Sequence, residues 1–357
     1  MTFYEFLDEV ADQLHDYLPE QFQNMEIEMK DVSKLNDRYT GLQVRGEAST
    51  LTPVVHMENM FEVYTQTNDM DAVLHSIADQ IQSELEGVDL GGFQQYDQVK
   101  DKLFIRVSNA EVNKELLEGV PHTIQGDLAI TYHIMVDVRN GEVGSAMITN
   151  QVLDSLGISK DQLHQDALEN SPKILPARIE PLVFVLNRMF NQEQAVTPAT
   201  FDEQLKDITL GDGDMVVLSN QELVNGAATL FYPGLLEQIG DQVGGNFFIL
   251  PSSTHETILV PDNGSLVLKD LELMVKQINQ TELSAKDFLT DTVYHYDSED
   301  RKLEIAQNYQ DRKLNLEKQA EKPQERLSVK AQLKDAEKVC GQQVPKPKAQ
   351  AKETMLE

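Results

Sequence analysis

The chain has 357 residues, enough for one to three domains and a sizeable core, and its apolar share of 40% suits a folded protein. Sixty Asp and Glu against 30 Lys and Arg give a formal charge of −30, which opposes nucleic acid and anionic membrane as partners. A single cysteine, Cys340, excludes an internal disulfide framework and a cysteine-based zinc site, and no apolar run is long enough to cross a bilayer, so the expectation is a cytoplasmic protein.

Thr2 and Glu5 have the spacing of a capping box, and Phe3, Phe6, Leu7, Val10, Leu14 and Leu18 form one helical stripe that ends at Pro19. This start is acidic and amphipathic, unlike a signal peptide. Residues 25–32, 40–44 and 54–57 are short extended runs, the first two flanking the turn-like Lys34-Leu35-Asn36-Asp37, and they predict a meander. Helical spacing returns with Met70, Val73, Leu74, Ile77, Ile81 and Leu85. Residues 103–107 predict a strand. Residues 128–138 and 143–148 predict a hairpin around Arg139-Asn140-Gly141, because Asn and Gly tolerate positive φ. Helices are expected over 150–156 and 160–169, the second broken by Asn170-Ser171-Pro172, and Pro181 opens the apolar stretch LVFVLNRMF.

Residues 191–213 thin into polar sequence with Pro198, which predicts a linker between a lobe over 1–190 and a second over 214–300. The second lobe starts with a short apolar strand at 215–218 after Gly211-Asp212-Gly213-Asp214. A helix follows, with Pro233 in its first turn and Leu236, Ile239 and Val243 on one face, and Gly244-Gly245 end it. Residues 247–250 form a buried strand stopped by Pro251, 255–260 form another, and Val267, Leu271, Met274, Val275 and Ile278 mark a last helix. The fold class is therefore α+β: mixed or antiparallel sheets with packed amphipathic helices, in two lobes. From Arg301 the composition turns rich in Lys, Gln and Glu, with 13 basic and 9 acidic residues; this net +4 leaves −34 for the residues before it. The expectation for 301–357 is a flexible basic tail, partly helical and mostly disordered, with Val329, Leu333 and Ala336 as one helical island.

Pro251 to Glu256 gathers hydroxyls, an imidazole and a carboxylate at a turn. Ser252 or Ser253 beside His255, with Glu256 or another acid orienting the ring, has the residue types of an activated nucleophile. Strand alternation sends His255 and Glu256 to opposite faces and no G-x-S-x-G elbow surrounds either serine, which favours a structural turn. His255-Glu256 lacks the second histidine of a zinc-protease helix, and His122, His133 and His255 would form a metal site only if the fold gathered them. Gly211-Asp212-Gly213-Asp214 lacks the later ligands of a calcium loop. Gly226-Ala227-Ala228 has no lysine to support a phosphate site and favours close packing. No cofactor and no metal are expected.

The Val120-Pro121-His122 step with Asp127-Leu128-Ala129, the Asn170-Ser171-Pro172 break, Gly226-Ala227-Ala228 with Tyr232-Pro233, and Leu250-Pro251-Ser252-Ser253 with His255-Glu256 carry a resemblance. The chain to about Tyr296 resembles a bacterial family catalogued as a domain of unknown function, number fifty-six eighty-eight, common on mobile elements of gut anaerobes. That family often carries a long acidic run between its lobes, where this chain has the milder NQEQAVTPATFDEQ. Leu327-Ser328-Val329 with Leu333-Lys334 is similar to short endings on other proteins of conjugative elements. The reading that follows is a non-enzymatic interaction or accessory factor of a mobile element with a protein partner, without duplex DNA binding by the body and without a membrane. The alternatives are a hydrolase using the Ser252/His255 region and an acidic nucleic-acid mimic that binds a basic protein.

Overall fold

A computed structural model describes residues 1–20, 22–23, 25–45, 54–87, 95–139, 142–191, 200–208 and 214–319. Met1–Ala306 form one compact unit, and the described residues 307–319 belong to another. The capping box forms: Thr2 Oγ1 accepts the Glu5 N–H, and the Glu5 carboxylate accepts the Thr2 N–H at 2.7 Å, starting α1 (Phe3–Tyr17). The expected meander is β1 (Glu26–Lys34), β2 (Asp37–Arg45) and β3 (Val54–His56), turned between its first two strands at Asn36 in the left-handed region, φ 58°. α2 (Met57–Thr67) and α3 (Met70–Gly87) follow. Phe6, Val10 and Leu14 of α1 meet Leu42, Val55, Leu74 and Ile77 in a core that contains only residues before 82.

Beyond residue 95 come α4 (Tyr96–Val99), a 3-10 turn at Lys100–Lys102, β4 (Leu103–Asn109), α5 (Lys114–Glu118), β5 (His122–Gln125), β6 (Leu128–Arg139) and β7 (Glu142–Met147). β6 pairs with β4 along one edge, and β5 and β7 share its other edge, making a four-stranded antiparallel sheet. Asn140 and Gly141, the expected hairpin turn, lie outside the described residues. Next are α6 (Asn150–Leu156), α7 (Lys160–Ile174), β8 (Ala177–Pro181), α8 (Leu182–Asn191), α9 (Phe201–Asp207), β9 (Val216–Asn220) and a 3-10 helix at Gly226–Phe231. α10 (Leu235–Val243), β10 (Phe247–Pro251), β11 (Thr257–Pro261), α11 (Leu268–Thr281), β12 (Tyr294–Asp297) and β13 (Lys302–Ile305) complete the unit.

The fold is α+β. Its larger sheet is antiparallel in the order β13-β12-β10-β11-β9-β8. β10 is apolar along its whole length because both faces of this sheet are covered: Phe247 and Ile249 join the core shared with the four-stranded sheet, while Phe248 and Leu250 pack with Leu271 and Val275 of α11. β8 and β9, on either side of the segment expected to separate two lobes, are hydrogen-bonded neighbours, and the largest core takes side chains from both. Three expectations are corrected. The Asn170-Ser171-Pro172 break lies inside α7, because Ser171 Oγ donates to the Ala167 carbonyl and accepts the Ile105 N–H while Asn170 donates to the Lys100 carbonyl. The strand begins at Thr257, so His255 belongs to a turn. Lys302–Ile305, assigned to the tail, is a sheet strand whose Leu303 and Ile305 pack on the core. Residues 307–319 are helical, and the expected island at 327–336 lies outside the described residues.

Among the described residues no apolar cluster joins residues before 82 to those after 95, so the N-terminal module meets the body through polar groups. The Asn36 N–H donates to Asn113 Oδ1, and Asn113 Nδ2 donates back to Asn36 Oδ1, both at 2.7 Å; Asn36 Nδ2 donates to the Phe288 carbonyl at 2.6 Å. Such bonds contribute about 0.5–1.5 kcal/mol each, whereas each fully buried Phe, Leu or Ile of the module contributes about 1.5–3 kcal/mol. The module's own core therefore holds it folded and the asparagines set its orientation.

A buried histidine–carboxylate hydrogen bond ties β12 of the larger sheet to the residue that follows β11. His295 on β12 is fully buried and donates through Nε2 to Asp262 Oδ2 at 2.9 Å, and the Gly264 N–H donates to Asp262 Oδ1. The bond from His295 holds the Asp262 carboxyl below its ordinary value of 3.8 against the opposing effect of burial. A depressed carboxylate contributes stability that is present above its unfolded value and lost as pH falls through the folded one. Urea unfolding of the parent and Asp262→Asn should therefore show a parent advantage at pH 6 that shrinks below pH 3.8; a difference independent of pH would contradict this.

Candidate functional site

The Pro251–Glu256 turn lies against a second loop that leaves β9. Asn220, buried at the end of that strand, organises the loop: its Oδ1 accepts the Glu222 and Val224 N–H groups at 3.1 and 3.4 Å, and its Nδ2 donates to the Val224 carbonyl at 2.7 Å. Leu223 and Asn225 are held at φ 57° and 54°; asparagine tolerates this, but for Leu223 it costs about 1–2 kcal/mol and persists because these bonds over-determine the loop. At Gly226 a Cβ would overlap Ser219 Oγ and the His255 carbonyl oxygen and approach the Asn220 nitrogen to 2.9 Å. Close packing therefore requires glycine there, and the Ala227 N–H donates to the Thr254 carbonyl at 3.1 Å.

Within the turn Ser253 Oγ accepts the N–H groups of His255 and Glu256 at 3.0 and 3.2 Å, so Ser253 bonds the His255 backbone and not its ring. Ser219 Oγ donates to the His255 carbonyl at 2.7 Å. The ring is held from both sides. The Asn225 N–H donates to Nδ1 at 3.2 Å, so the proton sits on Nε2, which donates to Asp287 Oδ1 at 3.1 Å. Asp287 Oδ2 accepts from Ser284 Oγ at 2.8 Å, and the Asp287 carbonyl accepts the Thr254 N–H at 2.8 Å. Burial raises the Glu256 carboxyl, and the nearby His255 only partly opposes this. Among the described residues the Ser252 side chain makes no hydrogen bond.

Catalysis needs a hydroxyl within reach of a ring nitrogen that can take its proton. Here one ring nitrogen of His255 is occupied by a backbone N–H, the other by a carboxylate, and the buried Ser253 hydroxyl is occupied by two amides. The arrangement is a joint between three loops. Asn225, Ser284 and Asp287 escaped the sequence reading: Asn225-Gly226 carries a signal, since both residues suit tight left-handed or close-packed backbone, but nothing marks Asp287, 32 residues from its histidine.

The fold does not gather His122, His133 and His255, and among the described residues no group of three or more His, Cys, Asp or Glu is placed to hold a metal ion. His122 Nδ1 lies 3.0 Å from the Val120 carbonyl. His133 is buried against Thr131, and burial followed by the Arg106 charge keeps it well below its ordinary value. Tyr132 bridges Thr123 at 2.7 Å and His164 at 2.9 Å; burial raises the Tyr132 hydroxyl and lowers His164.

α8 presents a different kind of surface. Its first N–H donates to the Met215 carbonyl, and Glu180 accepts both Arg188 Nη1 and Nη2, at 2.9 and 2.6 Å, which fixes the helix beside β8. Burial raises the Glu180 carboxyl, but the bonds from Arg188 and Arg178 outweigh it and the net shift is downward. On the open side Val183, Phe184, Leu186 and Phe190 are 57, 59, 40 and 81% exposed. Four adjoining large apolar side chains in water are the kind of patch that marks an interaction site.

Fold and sites together define an α+β protein with a hydrogen-bonded polar loop joint and an open apolar helix. By its sequence the chain belongs to the Family of unknown function (DUF5688), whose model matches residues 3–298. No curated protein and no solved structure matches it. No helix among the described residues is long and apolar enough to cross a membrane.

If the turn is a joint, its serines must differ in effect. Ser253→Ala should cost about 1–3 kcal/mol in urea unfolding, because two amides lose their acceptor, whereas Ser252→Ala should stay within about 0.5 kcal/mol. Equal losses at the two positions would contradict the assignment.

Proposed function

We propose that this protein is a non-enzymatic interaction factor that docks a protein partner on α8. The observation that carries the reading is the exposure of Val183, Phe184, Leu186 and Phe190 on one short helix anchored through Glu180 and Arg188. The occupied nitrogens of His255 support the non-enzymatic side of it, since a base already bonded on both sides has no lone pair to offer. The resemblance to mobile-element proteins makes an accessory role on such an element the natural setting, and the net −34 before Arg301 supports a body that leaves duplex DNA alone.

Capture from an extract of the native cell, with the parent and a Phe184→Asp/Phe190→Asp variant as baits, tests the reading. Aromatic anchors at an interface centre are each worth about 2 kcal/mol or more, and the loss of even one is about 30-fold, so the double variant should retain at least about 30-fold less partner. Undiminished capture, or hydrolytic turnover by the parent in an ester and peptide screen that His255→Ala abolishes, would overturn it.

A further inference from the structure

We infer that the occupant of α8 is a second copy of this chain, the two α8 helices packing antiparallel about a twofold axis between Leu186 and Asn187. The inference rests on the reading of α8 as a protein-binding face and names what binds there.

Spacing supplies the first argument. Val183, Leu186 and Phe190 stand at i, i+3 and i+7, the pattern of a seam between two helices, and exposed Asn187 lies on the same face at i+4. An antiparallel pair centred between residues 186 and 187 sets the smaller Val183 against the second copy's larger Phe190, and Leu186 against its Asn187. The seam is thus self-complementary in volume, as a twofold contact requires. Phe184 borders it and widens the apolar area. A single asparagine in such a seam sets register and orientation at some cost in stability.

Charge supplies the second argument. Among the described α-helices α8 is the one without Asp or Glu, in a chain that carries 60 of them. Its one charge, Arg188, is bonded twice to Glu180, a carboxylate it shares with the buried Arg178. A basic partner helix would find no row of carboxylates here to meet its lysines. Two copies each bearing −30 face the opposite problem, and a helix without carboxylates is where they approach at least cost. The dimer should therefore tighten as salt screens the repulsion between the remaining surfaces, whereas an ion-paired contact would weaken.

Sedimentation velocity of the full chain from ~0.1 to ~100 μM, the range of weak specific association, reads the result. The expected outcome is a reversible rise from the 40.3 kDa chain toward twice that mass, at lower concentration in higher salt. Phe184→Asp/Phe190→Asp should weaken the dimer at least about 30-fold. Melting curves unchanged from the parent would confirm folding of that variant, because both side chains are exposed. Asn187→Leu should tighten the dimer, a gain that misfolding does not mimic. A parent that stays monomeric to ~100 μM overturns the second copy; if the double variant still loses its captured partner, the protein-binding reading stands alone, and if capture is also unaffected both fall. A dimer indifferent to both variants overturns α8 as the contact.

Discussion

Residues 284–294, largely without helix or strand, are the strap on which the rest of Met1–Ala306 depends. Asn36 of the N-terminal module donates to the Lys286 and Phe288 carbonyls, and Asn109 at the end of β4 donates to the Leu289 carbonyl. His255 and Thr254 bond Asp287, and Asn279 of α11 donates to the Thr290 carbonyl and Asp291. Thr290, Thr292 and Tyr294 all donate to Asp127 at the β5–β6 turn. Gly126 lets that turn come close, at φ 65°, where a Cβ would lie 2.5 Å from the Tyr294 hydroxyl oxygen. One irregular segment thus answers polar groups from the module and from both sheets. Leaving such groups buried without partners would cost about 1–3 kcal/mol each, so the ties are obligatory together.

The same logic explains why a catalytic-looking set of residues is bonded together as a loop joint. Turns that pack against each other bury backbone amides, and each amide must find an acceptor. Ser253 and His255 answer three of them, while Ser219 and Asp287 bind the turn from outside. Hydroxyl, imidazole and carboxylate are the groups with which a protein closes a loop joint as well as those with which it cleaves a bond. Geometry separates the two uses. Burial fails on α8, where Phe184 and Phe190 remain in water, and the proposed docking uses that surface.

Regular periodicity made much of the fold legible. The α1 stripe, its capping box, the meander and the strands at 103–107, 128–138 and 247–250 follow from patterns of 3.6 and 2, and each is present. β8, β12 and β13 escaped because short strands such as YHYD owe their place to pairing with distant neighbours, Tyr294 opposite Ile249 and Ile305. Pro172 misled as a helix stop, since Ser171 and Asn170 are held by β4 and by the turn before it. The candidate turn was legible as a polar cluster, but its chemistry was not: the ring orientation of His255 depends on Asn225 and Asp287, which only the folded chain brings near. Composition along α8 announced an apolar stretch, yet only the packing leaves Val183, Leu186 and Phe190 uncovered.

Hydrogen exchange on Thr290→Val/Thr292→Val addresses the strap most directly. The substitution keeps side-chain volume and removes two donors to Asp127. If the strap couples the parts, amides of β6 in one sheet and of β12 in the other should exchange together about 10-fold faster or more, with Asn36 and Asn113 following. Acceleration confined to residues 284–294, with both sheets protected as in the parent, would contradict it.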